Sequence, residues 1–143
     1  MPRCYLLCLA QSSSIDLDTN EVSLFQLTEE VDLQADDLAA TDRFEIHSCW
    51  EFAPTEIGQA YDVRFLVTRT IAGAERFASR THTISAPVPR LRMRTRGFVV
   101  PGAGRCGLRV EWSVAGQGQW NDAGLEWPLT AKLAAPDVAP SAP

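Results

Sequence analysis

No apolar run in this chain approaches the roughly 20 residues that a transmembrane helix needs. The apolar run nearest the N-terminus, Cys4 to Ala10, follows one basic residue and sits at the short limit for a signal-peptide core. It reads as a buried strand, and no membrane partner is expected. Lysine is almost missing: Lys132 stands alone, and arginine supplies 12 of the 13 basic residues. That bias reflects coding composition more than function. The four cysteines, Cys4, Cys8, Cys49 and Cys106, form no C-x-x-C pair and no Cys/His run with zinc spacing. Cys4 and Cys8 are expected on one face of one strand, roughly 13 Å apart, which is too far for a disulfide. Free thiols packed as small hydrophobes favour a reducing cytoplasm. Serine-hydrolase, P-loop and H-E-x-x-H patterns are absent, so nothing carries a catalytic signature and the chain is not expected to be an enzyme.

Helical periodicity is also scarce, and period-two alternation takes its place. Phe44, Ile46, Trp50 and Phe52 point one way; Glu45, His47, Cys49 and Glu51 point the other, in a half-buried strand ended by Pro54. Tyr61, Val63, Phe65 and Val67 alternate with polar residues. Ala72-Gly73 then turns the chain into a Thr/Ser-rich strand over 75–85, a β-hairpin. Leu108, Val110, Trp112 and Val114 alternate with Arg109, Glu111 and Ser113. After a loop through Trp120-Asn121-Asp122, a last strand carries Trp127, Leu129, Ala131 and Leu133. Over 21–33 a strand is favoured, with Phe25, Leu27, Val31 and Leu33 on one face. A helix capped by Asn20 competes, because Leu24, Leu27 and Val31 also fit helical spacing. An irregular acidic loop is expected through Gln34–Asp42. The pattern predicts an all-β fold: a single antiparallel β-sandwich of about eight strands, immunoglobulin-like or C2-like, over residues 1–133. The Pro/Ala-rich stretch 134–143 is expected to be a disordered tail.

Charge is unevenly spread. Residues 1–60 carry 12 acidic and 2 basic side chains; residues 61–143 carry 6 and 11. The basic half contains Arg90-Leu91-Arg92-Met93-Arg94-Thr95-Arg96. In a strand, Arg90, Arg92, Arg94 and Arg96 share one face. That stripe could meet an anionic polymer, either nucleic-acid phosphates or an acidic polysaccharide, or an acidic protein surface. It could equally be an edge strand that uses charge against aggregation, or pair with Glu29, Glu30 and Asp32 of the same chain. Nucleic-acid binding usually brings a basic domain and interleaved aromatics; here the pI is near 5.0 and no aromatic lies among the arginines. A protein partner, or self-association with the acidic half of another copy, fits better. Trp120, in a Gly/Gln/Asn/Asp loop, is a second candidate contact, set against a Trp folded over the end of the core.

Three further motifs are read as structure. Gly102-Ala103-Gly104-Arg105-Cys106-Gly107 matches G-x-G-x-x-G, but a strand follows where a dinucleotide site needs a helix. No cofactor is expected. Asp16-x-Asp18-x-Asn20 opens like a calcium loop, yet Glu21 and Leu27 stand where Gly and Glu belong. His47 and Cys49 could ligate a metal or form a nucleophile–base pair, but no third group orients them, so a solvated face or a second buried layer is the simpler reading. The segment from Ser13 to Glu30, with D-x-x-T-N-x-x-S-L-F at Asp16–Phe25, resembles the N-terminal segment of an uncharacterised family of small stand-alone bacterial proteins. The Gly-Leu-Arg-Val-Glu-Trp strand at 107–112 is compatible with it. The resemblance implies one β-sandwich domain in a bacterial cytoplasm and no site residues.

Overall fold

The alternating segments form strands that assemble into two sheets around a shared core. A computed structural model describes residues 1–33, 39–85 and 87–134. Among these, nine strands occur: β1 (Arg3–Ile15), β2 (Val22–Leu27), β3 (Glu30–Leu33), β4 (Ala39–Glu51), β5 (Tyr61–Ile71), β6 (Ala74–Ile84), β7 (Arg90–Val100), β8 (Gly104–Val114) and β9 (Asn121–Leu133), with one 3-10 turn at Pro54–Glu56. Sheet A has the order β2-β1-β4-β7 and sheet B the order β3-β9-β8-β5-β6. The core lies between them. Leu7, Leu9, Ile46 and Trp50 come from sheet A; Val63, Phe65, Leu108, Val110 and Leu129 come from sheet B. The result is an all-β, sandwich-like arrangement of two sheets.

Several expectations are corrected. The pairing is not wholly antiparallel, because β3 runs parallel to β9. The 21–33 stretch is two strands in different sheets. Its faces also differ from expectation: Val31 and Leu33 are buried, whereas Phe25 and Leu27 are exposed. Gln26, at φ 54°, breaks the pleat between them. Cys4 and Cys8 do not share a face. A register shift between Cys4 and Leu6 leaves Tyr5 as an extra residue, so Cys4 joins the core while Cys8 lies opposite His47 on the outer side. β4 begins at Ala39, inside the expected acidic loop; 34–38 of that loop, and 135–143 of the expected tail, lie outside the described residues. Asn121 and Asp122 belong to β9 rather than to the loop before it, and the glycine-rich stretch is already strand from Gly104.

The β5–β6 hairpin follows its turn chemistry. Ala72 and Gly73 take φ 51° and 78°, the left-handed pair that matches the twist of the flanking strands. Asp16–Asn20 is the turn of the β1–β2 hairpin. The Asp16 carboxylate accepts from the Asp18 and Thr19 amides at 2.9 and 3.2 Å, and Asn20 takes φ 59°.

Candidate functional site

Sheet A places its outer face by register. Going outward along β4, Glu45 stands opposite Arg96, His47 opposite Arg94, Cys49 opposite Arg92 and Glu51 opposite Arg90. On the other flank of β4 the neighbours are Ala10, Cys8, Leu6 and Arg3. The four arginines of β7 therefore do share one exposed face, with Leu91 and Met93 packing against the core. β7 is one edge strand of sheet A, and β2 is the other.

The arginines differ in their partners. Arg94 Nε and Arg96 Nη2 lie 3.7 and 3.5 Å from Glu45 Oε2. The other oxygen of Glu45 accepts from Ser13 Oγ at 2.9 Å and lies 3.3 Å from His47 Nε2. Arg92 donates to the backbone oxygen and the Oδ1 of Asn20, at 3.0 and 2.6 Å. Arg90 stands beside Glu51, which Arg3 holds at 2.7 Å. Glu29, Glu30 and Asp32 do not meet the stripe: they belong to the β3 region of the other sheet, where Glu30 pairs with Lys132 at 3.1 Å. Among the described residues Arg92 has no carboxylate partner.

Glu45 is 1% exposed although it points away from the core. The β1–β2 hairpin explains this. The first half of β1, Arg3 to Ala10, pairs with β4; the second half, from Ala10 on, pairs with β2. Beyond Ala10 the hairpin becomes an arm laid back over the outer face of sheet A. Ser13 reaches Glu45, and Asn20 at its tip reaches Arg92 on the far strand. Between arm and sheet lies a cavity of about 360 Å³. Its lining includes Leu6, Ile15, Val22 and Leu24, with His47, Cys49, Arg92 and Arg94 on the sheet side. That volume falls within the usual range of small-ligand pockets.

The electrostatics follow from this cover. Burial pushes the Glu45 carboxyl up, but the Ser13 hydroxyl, His47, Arg94 and Arg96 outweigh it and hold it below the ordinary carboxylate value. The Cys49 thiol is raised by burial, against the opposing pull of Arg92 and a hydrogen bond with Tyr5. A thiol held protonated is a poor nucleophile. Cys4 is pushed up to about 11, chiefly by burial. His82 lies elsewhere: its ring packs on Phe65, and its Nε2 is 3.4 Å from Thr95 Oγ1. Among the described residues no group of three or more His, Cys, Asp or Glu is arranged to hold a metal ion, and no helix is long and apolar enough to cross a membrane.

Trp120 is not brought to this face. It is half-buried in the loop before β9, and the Arg64 guanidinium stacks 4.2 Å from its ring centroid. Arg64 in turn pairs with Glu111 at 3.0 Å, on the side of sheet B turned away from the core. Trp120 and the arginine stripe thus occupy opposite sides of the two-sheet stack. Sequence reasoning missed Ser13, Asn20, Val22 and Leu24 as parts of the site. One signal was available: Val22 and Leu24 alternate on the opposite parity from Phe25 and Leu27, so one strand offers two apolar faces.

No family model matches the chain, and no curated protein matches it.

Proposed function

We propose that this chain is a non-catalytic interaction module, an accessory subunit of a bacterial assembly, whose arginine face on sheet A takes an acidic protein partner. The observation that carries the reading is an imbalance of charge. Among the described residues, Glu45 and Glu51 are the only carboxylates that engage Arg3, Arg90, Arg92, Arg94 and Arg96, and Arg94 and Arg96 remain 59% and 68% exposed while engaged. Exposed guanidiniums spaced along one strand steer an acidic surface and reject a basic one. The four free cysteines suit a reducing compartment. The strand order favours the immunoglobulin-like form of the sandwich over the C2-like one. In that reading the paired strands β4 and β7 correspond to B and E, and β6-β5-β8-β9 correspond to C′-C-F-G.

The test is fluorescence anisotropy with a labelled poly-glutamate peptide. Wild type should bind with an affinity that falls steeply with salt. Arg92→Glu with Arg94→Glu should weaken binding by more than about tenfold, since two close like-charge contacts replace two attractive ones, with an unchanged circular dichroism spectrum. Equal affinity in the double variant would sink the reading. Tighter binding of a single-stranded DNA of equal charge would move it to an anionic-polymer module.

A second reading, self-association, rests on sheet edges. β7 is blunted by its arginines, and its Arg96 carbonyl already accepts from Arg80 at 2.9 Å. β3 has four residues, two of them acidic, and β6 carries Glu75 and Arg80. β2 alone among the described edge strands has no charge, with Phe25 and Leu27 48% and 57% exposed. Such an edge pairs with another copy unless covered. Sedimentation velocity should show a dimer that Phe25→Lys converts to monomer; a wild-type monomer at high concentration would remove this reading.

A further inference from the structure

We propose that the cavity beneath the β1–β2 arm binds a small amphipathic carboxylate, a free medium-chain alkyl acid, with its carboxylate on Arg92 and its chain against Leu6, Ile15, Val22 and Leu24. This goes beyond the acidic-partner reading and does not require it. The cavity joins two features that one such ligand satisfies together. The arm and the sheet supply aliphatic walls, and burial of methylenes there is favourable by roughly 0.8 kcal/mol each. At the same cavity Arg92 spends its hydrogen bonds on the two neutral oxygens of Asn20. A carboxylate is a stronger acceptor for a guanidinium fork than either of those oxygens. Arg94 is the second cation on the lining, and its Glu45 is already shared with Arg96, Ser13 and His47.

The alternatives fit the walls less well. A nucleotide or nucleic acid would want stacking rings and several donors, and the residues that line this cavity include no Phe, Tyr or Trp. A peptide would bring amide groups that aliphatic walls leave unpaired. One charge on an apolar body matches one guanidinium, Arg92, that meets no carboxylate among the described residues. The Asn20 contact then acts as a latch: the incoming carboxylate takes Asn20's place on Arg92, and the arm stays closed over the ligand through Ser13 and Glu45.

The experiment is a titration of the purified full chain with octanoate, followed by amide chemical shifts and calorimetry. One saturable site is expected, with shifts centred on Leu24, Cys49 and Arg92. Octan-1-ol should bind about tenfold more weakly or worse, the factor that corresponds to one charge-assisted contact. Arg92→Gln should weaken octanoate by a similar factor and leave octanol unchanged. Leu24→Trp, which fills the cavity from the arm, should abolish both while the melting temperature stays within a few degrees. Equal binding of octanoate and octanol overturns carboxylate recognition. Octanoate binding that survives Leu24→Trp overturns the site, and absence of saturation at millimolar ligand overturns the proposal outright. Octanoate binding without poly-glutamate binding leaves this inference standing and removes the acidic-partner reading; the reverse result does the opposite.

Discussion

Trp50→Ala should lower the melting temperature by about 10 °C or more, from a loss of roughly 3–5 kcal/mol for truncating a buried Trp and about 2–4 °C per kcal/mol in a domain of this size. Trp50 is fully buried, and its indole donates to Ser48 Oγ at 3.0 Å. Its ring stacks on Phe52 at 6.4 Å, Phe52 meets Tyr61 at 5.6 Å, and Tyr61 meets Trp112 edge-on at 5.9 Å. That chain of rings runs from β4 in sheet A to β8 in sheet B, so one truncation loosens both sheets where they join. It also leaves the buried Ser48 hydroxyl without its partner, an added cost of about 1–3 kcal/mol. Trp50→Phe keeps most of the volume and should cost less than half as much by the same melt. A drop below about 3 °C for the alanine variant, by calorimetry at neutral pH, would mean that the core closes around the gap.

Trp50 also shows what was readable in advance. Its parity against His47, Cys49 and Glu51 follows from period-two alternation alone, and so does the shared face of Arg90, Arg92, Arg94 and Arg96. β5, β6 and β8 were legible for the same reason, helped by the Ala72-Gly73 turn. What alternation cannot reveal is what covers a face. Glu45 and His47 sit on the side a sandwich ordinarily gives to water, yet they are buried, and a segment some 30 residues earlier folds back to reach Glu45 through Ser13. The fold-back is accompanied by a left-handed φ at Gln26 and by the change of partner at Ala10. Gln has no strong preference for that conformation, so its residue type gives no warning. The Tyr5 irregularity is equally silent in the sequence, and it moved Cys8 off the face of Cys4. The β1–β2 arm, and with it the cavity, is therefore a tertiary result. The stripe of charge beside it is a local one.

Glu45→Gln should separate the two roles of that face. The variant removes the carboxylate on which Arg94, Arg96, Ser13 and His47 converge. Hydrogen bonds to a charged group are worth roughly 1.5–3 kcal/mol. Both arginines remain largely in water and can resolvate, so the expected loss lies near the lower end, at about 2 kcal/mol by urea denaturation at pH 7. The pH dependence has a definite sign. Because the folded-state value of Glu45 is depressed, its contribution is fully present above the ordinary glutamate range and is lost as pH falls through the folded value. The gap between wild type and Glu45→Gln should therefore narrow as pH falls from the ordinary glutamate range through the lower folded-state value, below which both proteins carry a neutral side chain. A gap constant across that range would mean that the carboxylate contributes through packing alone. Binding should move the other way from stability. With Glu45 neutral, Arg94 and Arg96 lose their internal counter-charge, so affinity for poly-glutamate should rise while the fold weakens. A purely architectural stripe would lose on both measures, since a loosened arm brings no compensating gain in charge. The opposite movement of the two is the mark of a face whose positive charge is held partly in check by one buried carboxylate.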